Sequence, residues 1–138
     1  MGEYKGIVFF DYDGTTVDEV DRIKTATPTT VKSLQKLKEN GYLTMLCSGR
    51  TKRFLEMDID KFQGAITCNG AHTEANGEVY RDIIIPDELM CDVINKYFPR
   101  DTIIQMETQD VTYYLHNDAE FFLYYCRLFS LPERWYAP

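Results

Sequence analysis

A short apolar segment that ends in two aspartates constrains the fold more than any other feature of this sequence. Gly6-Ile7-Val8-Phe9-Phe10 consists of glycine, β-branched and aromatic residues, and it ends abruptly at Asp11-Tyr12-Asp13-Gly14. Such a run is typical of a strand that is buried on both faces, whereas Asp and Gly favour a turn. The sequence therefore predicts a buried strand whose C-terminal end delivers two carboxylates.

Strand and helix patterns alternate through the first half of the chain. The predicted order is a strand, a helix, a strand, a short helix and a strand, at residues 6–10, 27–41, 42–47, 51–57 and 64–68. Thr27-Pro28 begins the first helix as its N-cap and first-turn pair, and Asn40-Gly41 ends it. Alternation of this kind predicts an α/β fold with a parallel sheet, in which ligands bind at the carboxyl ends of the strands.

The second half of the chain changes character. Residues 78–85 alternate loosely after the Asn76-Gly77 turn, and Pro86-Asp87 opens a helix that runs to Tyr97. The last predicted elements are an antiparallel hairpin and a helix that is capped by Asn117-Asp118, at residues 102–106, 111–115 and 119–129. We therefore predict two units, an α/β core over residues 1–82 and an α+β unit over residues 83–138.

Charge and composition exclude several classes of protein. The 138 residues carry 15 Lys+Arg against 22 Asp+Glu, and the net charge of −7 has the wrong sign for binding nucleic acid or an anionic membrane. No apolar run approaches the length of a membrane span, and no signal peptide follows Met1, so we expect a cytoplasmic protein. The four cysteines lack zinc-ligand spacing and are expected to be reduced.

Two of the predicted strand ends carry groups that suit phosphate chemistry. Asp11 and Asp13 offer hard oxygen ligands, and Mg²⁺ binds through one or two carboxylates together with phosphate oxygens. At Ser48-Gly49-Arg50 a hydroxyl, flexible backbone amides and a helix N-terminus can converge on an anion. Each motif alone is also compatible with a solvated turn. The sequence has no P-loop, G-x-G-x-x-G or G-x-S-x-G motif, which leaves the common nucleotide-loop and serine-hydrolase functions without support.

The combination of motifs is far more specific than its parts. The chain has Asp11-Tyr12-Asp13-Gly14-Thr15 after the first strand, Ser48-Gly49-Arg50 after the second and Asn69-Gly70-Ala71 after the third. This order resembles the haloacid dehalogenase-like (HAD) superfamily, and its spacing is most similar to the Cof-type sugar-phosphatase branch, with a cap inserted after the third strand. The resemblance implies a HAD-like Rossmannoid core with an α+β cap. It also implies a Mg²⁺-dependent phosphomonoester hydrolase that acts on a small phosphorylated metabolite such as a sugar phosphate.

The same resemblance implies a role for each motif residue. Asp11 is similar to the family nucleophile, which forms an aspartyl phosphate, and Asp13 is similar to the acid and base. Both would hold Mg²⁺, Asp11 through its carboxylate and Asp13 through its main-chain carbonyl. The implied phosphate-binding residues are Gly14, Thr15, Ser48 and Gly49, and the implied substrate-binding residues are Arg50 and Asn69. Asn-Gly is also a common turn, so Asn69 has a purely structural alternative.

The sequence departs from the family pattern at three places. Thr16 replaces a residue that is usually aliphatic, and Ser48 stands where Thr is commoner. More importantly, the family returns from its cap to its core with a phosphate-binding Lys and an acidic Asp pair, and neither can be matched before Pro138. We therefore expect a truncated form with an incomplete cap. Two alternatives stay open: a catalytically incompetent HAD-like fragment, and an interaction module.

Aromatic side chains crowd the last stretch of the chain. They are Phe121, Phe122, Tyr124, Tyr125, Phe129, Trp135 and Tyr136. An incomplete cap could not bury all of them, so we expect a surface that meets missing chain or a second subunit in a homo-oligomer. The alternative is an ordinary core face of a self-sufficient domain.

Overall fold

The computed structural model describes residues 4–18, 20–100, 102–115, 119–128 and 136–137. The chain divides into two compact units, Met1–Ile83 and Ile84–Pro138, and each has its own sheet. The strands of the first unit form one five-stranded sheet in chain order: β1 (Gly6–Asp11), β2 (Tyr42–Cys47), β3 (Gly64–Thr67), β4 (His72–Ala75) and β5 (Glu78–Asp82).

The first three strands are parallel, as the alternating pattern predicts. β1 pairs with β2 so that Asp11 lies opposite Cys47, and β2 pairs with β3 so that Cys47 lies opposite Ile66. All three strands therefore end at the same edge of the sheet, and the segments that follow them lie close together. The predicted α/β class with a parallel core is confirmed for this unit.

Helix α1 (Pro28–Glu39) connects β1 to β2, and its boundaries follow from its capping residues. The Thr27 hydroxyl accepts a hydrogen bond from the Thr30 amide at 3.2 Å, and Pro28 occupies the first turn, where no amide donor is needed. Gly41 takes φ +84° directly after the helix, a conformation that glycine adopts without strain. The helix buries Leu34 in the core.

The sheet is not purely parallel, because an antiparallel hairpin extends it. The sequence analysis predicted no strand at residues 72–75, and it extended the loosely alternating segment to residue 85. In the structure β4 and β5 pair antiparallel around Asn76 (φ +52°) and Gly77 (φ +81°). Asn-Gly is the preferred pair for this tight hairpin turn. Another local difference is the predicted short helix at 51–57, which is a 3-10 helix over Lys52–Leu55.

The two faces of the sheet differ in how they are covered. One face carries the main core, in which the buried residues are Tyr12, Val17, Leu34, Leu46, Leu55, Phe62 and Ala65. The other face buries Leu43, Met45 and Ala75. At the edge strand β1, however, Ile7 is 52% exposed and Phe9 is 57% exposed. The core is therefore complete on one side of β1 and open on the other.

The second unit contains a three-stranded sheet and two helices. β6 (Ile104–Glu107) and β7 (Thr112–Leu115) form the predicted antiparallel hairpin, and β8 (Tyr136–Ala137) pairs parallel with β7. The helices are α2 (Asp87–Tyr97) and α3 (Ala119–Leu128), close to their predicted bounds.

Part of the aromatic C-terminal stretch packs within this second unit. The ring of Tyr114 on β7 lies 4.4 Å from the ring of Phe122 and 6.4 Å from that of Tyr125, centroid to centroid. Tyr124 is exposed. The other predicted surface aromatics, Phe129, Trp135 and the side chain of Tyr136, lie outside the described residues, as does the predicted cap Asn117-Asp118. Self-association through this stretch stays a prediction.

Two further expectations concern membranes and cysteines. Within the described residues, no helix combines the length and the apolar character that crossing a membrane requires. Cys47, Cys68, Cys91 and Cys126 all lie in the described part of the chain, and none of them forms a disulfide.

Candidate active site

The segments that follow β1, β2 and β3 are joined by main-chain hydrogen bonds. The Ser48 amide donates to the Ile66 carbonyl at 2.9 Å, the Cys68 amide donates to the Arg50 carbonyl at 2.9 Å, and the Asn69 amide donates to the Ser48 carbonyl at 3.3 Å. These bonds fix the Ser48-Gly49-Arg50 segment against the segment after β3. The predicted motifs therefore meet at one edge of the sheet.

The segment 11–17, here called the aspartate loop, folds around one carbonyl group. The Tyr12 carbonyl accepts hydrogen bonds from the amides of Thr16 at 2.9 Å, Val17 at 3.0 Å and, more weakly, Thr15 at 3.4 Å. Gly14 turns the chain at φ +74°. The hydroxyl of Thr16, a residue that departs from the family pattern, donates to the Asp11 carbonyl at 2.7 Å. Thr16 thus replaces an apolar contact with a hydrogen bond that closes the loop.

Asp13 and Arg50 form a two-point ion pair across the site. The Arg50 Nε donates to Asp13 Oδ2 at 3.1 Å, and its Nη2 donates to Asp13 Oδ1 at 2.5 Å. The paired geometry orients both side chains, as is usual for arginine and a carboxylate. A residue predicted to bind substrate and a residue predicted to move a proton therefore touch each other directly.

Ser48, Gly49 and Asn69 lie together beside this pair. The Arg50 amide donates to the Ser48 hydroxyl oxygen at 3.1 Å, which orients the hydroxyl and leaves its own hydrogen able to donate. A Cβ atom on Gly49 would lie 3.0 Å from Asn69 Oδ1, so a glycine lets the Asn69 carboxamide approach closely. Asn69 holds this place in the left-handed conformation at φ +54°.

Cys47 lies beside Asp11 at the end of β2 and is not a second nucleophile. Burial raises the pKa of its thiol, and the negative charge of Asp11 raises it further. The reactive form of a cysteine is the thiolate, which this environment disfavours. Asp11 is an exposed carboxylate at the strand end and is the better placed nucleophile.

A buried carboxylate supports the aspartate loop from below, and the sequence analysis missed it. Asp58 is fully buried and accepts a hydrogen bond from the Tyr12 hydroxyl at 2.8 Å. It also accepts from the Thr25 hydroxyl at 2.7 Å, from the Ala26 amide at 2.8 Å and from Lys61 Nζ. Nothing in the local sequence marks it, because its partners come from three distant segments.

The ionisation of Asp58 follows from these donors. Burial alone would raise the pKa of Asp58, but the hydrogen bonds from Lys61, Thr25 and Ala26 outweigh it and lower the pKa. Burial, followed by the bond to Asp58, raises the pKa of Tyr12, which therefore stays protonated and remains a donor. The pair is a carboxylate and a neutral phenol.

The acidic groups of the site are few but of the kind that Mg²⁺ accepts. In the described part of the chain, no group of three His, Cys, Asp or Glu side chains is arranged to hold a metal ion. Mg²⁺ often binds through only one or two protein carboxylates together with waters and phosphate oxygens. The exposed Asp11 carboxylate and the Asp13 carbonyl fit such a partial site, whereas a fully protein-coordinated site does not fit.

A comparison with protein families assigns the chain. The family model for haloacid dehalogenase-like hydrolases matches residues 8–132, a range that includes every predicted motif. The chain belongs to this family. The resemblance that the motifs suggested is thereby confirmed, and a search of curated protein sequences finds no significant match.

Solved structures with the same fold belong to the HAD superfamily and are longer. BT1666 from Bacteroides thetaiotaomicron, one of the HAD phosphatases, is 20% identical, with a TM-score of 0.73 over 94% of this chain and 47% of its own. TM0651 from Thermotoga maritima is 24% identical, with a TM-score of 0.73 over 99% and 50%. The HAD subclass IIB sugar phosphatase BT4131 is 20% identical, with a TM-score of 0.64 over 93% and 50%. The chain thus has the HAD-like α/β fold and spans about half the length of these structures.

Proposed function

We propose that this chain carries the nucleophile side of a Mg²⁺-dependent phosphomonoester hydrolase of the Cof-type branch. The observation that carries the proposal is the meeting of Asp11 and the Asp13–Arg50 pair with Ser48 and Asn69 at the ends of three parallel strands. Membership of a hydrolase family and a fold shared with HAD phosphatases support it.

Each residue has a role that its position can serve. An Asp11 Oδ attacks phosphorus, the bond from phosphorus to the leaving alkoxide breaks, and an aspartyl phosphate forms. Asp13 gives its proton to the alkoxide and later takes one from the water that hydrolyses the acyl phosphate. The Ser48 hydroxyl and the amides of Gly14 and Thr15 face phosphoryl oxygens, where donors stabilise the negative charge of the transition state.

Arg50, Gly49 and Asn69 serve the substrate end of the same proposal. Arg50 is a two-point donor that matches phosphate oxygens as well as it matches the Asp13 carboxylate. Gly49 brings the Asn69 carboxamide to the site edge, where it can contact the alcohol part of a substrate. When bound at Asp11 and Asp13, Mg²⁺ would offset the repulsion between the carboxylates and the phosphate dianion.

The proposed substrate is a small phosphorylated metabolite. One structural neighbour is a subclass IIB sugar phosphatase, which favours a sugar phosphate over other phosphomonoesters. Unit Ile84–Pro138 would be the start of the substrate-selecting cap, following unit Met1–Ile83 as the core. We place the protein in the cytoplasm, because its charge and composition suit soluble metabolites.

The experiment that tests this function measures phosphate release and nucleophile trapping in parallel. We expect the chain with Mg²⁺ to release phosphate from at least one member of a phosphomonoester panel, and Asp11→Asn to lower the rate by at least about 10³-fold. Beryllofluoride, which mimics a phosphoryl group on aspartate, should bind the wild-type chain only when Mg²⁺ is present. Asp21→Asn removes an exposed aspartate outside the aspartate loop and should change neither result.

Two results would contradict the proposal in different ways. Turnover that survives Asp11→Asn would remove the nucleophile assignment. Failure of both phosphate release and beryllofluoride binding would favour the catalytically incompetent fragment. Beryllofluoride binding without turnover would locate the nucleophile correctly and show that hydrolysis needs groups beyond these residues.

A further inference from the structure

We propose that Tyr12, held by Asp58, is a positioning residue that fixes the Arg50–Asp13 ion pair beside Asp11. The proposal rests on the proposed function, because it gives Asp13 a position that matters only if Asp13 moves a proton. Its geometric part stands on contacts of the described residues and can be measured without turnover.

The first step is the anchoring of the Tyr12 ring. Tyr12 is 3% exposed, and its hydroxyl donates to Asp58 at 2.8 Å. Asp58 is held in turn by Thr25 and Ala26, which directly precede α1, and by Lys61. A buried tyrosine usually finds a partner for its hydroxyl, and here the partner is tied to two other segments. The ring therefore has one fixed orientation.

The second step is the contact between this ring and Arg50. The Arg50 guanidinium carbon lies 5.3 Å from the centroid of the Tyr12 ring, within the range of an attractive cation–π contact. The same guanidinium donates twice to Asp13. Arg50 thus lies on the Tyr12 ring while it holds the Asp13 carboxylate. The rigidity of the ring is transmitted to the ion pair through this stacking.

The third step is the main chain of the loop. The Tyr12 carbonyl accepts the amides of Thr16 and Val17, and Tyr12 directly separates Asp11 from Asp13 in the chain. A side chain anchored below the loop and a carbonyl bonded within it fix both ends of one residue. Neighbouring Asp11 and Asp13 inherit their direction from this fixed unit.

Core packing alone does not account for a tyrosine here. An aliphatic residue would fill the same apolar cluster with Leu46 and Leu55 without placing a hydroxyl in the interior. A buried hydroxyl without a partner is unfavourable, so Tyr12 is suited to this place only together with Asp58. The two residues are more simply explained as a pair that supports the loop above them.

The test reads the Arg50–Asp13 pair directly. Solvent exchange of the Arg50 Nε–H is measured by NMR, with the resonance assigned by its absence in Arg50→Lys. We expect Tyr12→Leu, which removes the ring, to speed this exchange about tenfold, and Tyr12→Phe, which frees the ring from Asp58, to speed it about threefold. Thr25→Val also removes one hydrogen bond to Asp58 but leaves Tyr12 in place, so we expect less than about a twofold change.

The outcomes decide the proposal and separate it from the proposed function. Exchange in Tyr12→Leu that stays within twofold of wild type would overturn it, as would an equal effect of Thr25→Val. If Tyr12→Leu does not fold, the contrast between Tyr12→Phe and Thr25→Val decides alone. Where phosphate is released, kcat should follow the same ranking. The exchange ranking without any turnover would leave the geometry standing and count against the phosphatase.

Discussion

Two acidic regions of the first unit lie close in the fold but differ in almost every physical respect. Asp58 is fully buried, accepts hydrogen bonds from four residues and lies under the aspartate loop. Asp11 and Asp13 lie exposed at the end of β1, and Asp13 has an arginine partner that is also reachable by solvent. A buried carboxylate is tolerated only when its partners are in place, whereas an exposed one can change partners at low cost.

The comparison teaches that the chain assigns stability and chemistry to different carboxylates. A group that must meet a substrate and exchange a proton has to be accessible, so its contacts contribute little to folding. A group that organises the segments around it has to be desolvated and fully satisfied. Substitutions in the two regions should therefore separate loss of stability from loss of activity.

The largest effect on stability is expected at the buried carboxylate. Asp58→Asn keeps the volume of the side chain but removes its charge, which leaves the Lys61 ammonium and the other donors with a weaker acceptor. We expect the free energy of unfolding to fall by about 3 kcal/mol, measured by urea denaturation. Asp60→Asn, an exposed aspartate in the same 3-10 helix, is the matched control and should change stability by less than about 0.5 kcal/mol.

The pH dependence sharpens this prediction. The pKa of Asp58 is lower in the folded state than its ordinary value of 3.8, so its contribution is complete above that value and is lost as the pH falls through the folded-state pKa. The difference in stability between wild type and Asp58→Asn should therefore shrink below about pH 4. A difference that stays constant into this acid range would show that the Asp58 charge is not what stabilises the fold.

Two glycines test the same contrast between a packed frame and an open loop. A Cβ on Gly64 of β3 would lie 2.5 Å from the Glu74 carbonyl oxygen and 2.8 Å from the Ala75 Cα, so strand β4 would have to move. We expect Gly64→Ala to cost about 2 kcal/mol, measured by thermal denaturation. Gly14→Ala meets no atom within 4 Å and should cost only about 1 kcal/mol, from its left-handed conformation. The reverse order would contradict the division into frame and loop.

Local sequence patterns were enough for the strands and helix that build the site. The apolar run before Asp11, the cap at Thr27-Pro28 and the stop at Asn40-Gly41 act within a few residues, and the elements formed where these patterns predict them. The hairpin strand His72–Ala75 was missed because it is short and polar, and it is fixed by pairing with β3 rather than by its own composition.

The site was predictable in its residues but not in its support. Asp11 and Ser48 could be brought together from sequence, since parallel strands end at one edge. The ion pair of Asp13 with Arg50 and the bond of Tyr12 to Asp58 join residues that are 37 and 46 positions apart. Contacts of that separation depend on the tertiary fold, and no spacing rule in a single sequence encodes them.

The smallest expected effect concerns the stability that the Asp13–Arg50 pair contributes. Its side chains are 51% and 33% exposed, so solvent and salt screen the attraction. A double-mutant cycle with Asp13→Asn and Arg50→Gln, measured by urea denaturation, should give a coupling energy below about 1 kcal/mol that falls further at high salt. The same cycle with Asp58→Asn and Lys61→Gln should give a larger coupling that is less sensitive to salt, because Asp58 is shielded from the solvent. Equal couplings would mean that the exposed pair is part of the folding core, and the separation between a stabilising carboxylate and a reactive one would no longer hold.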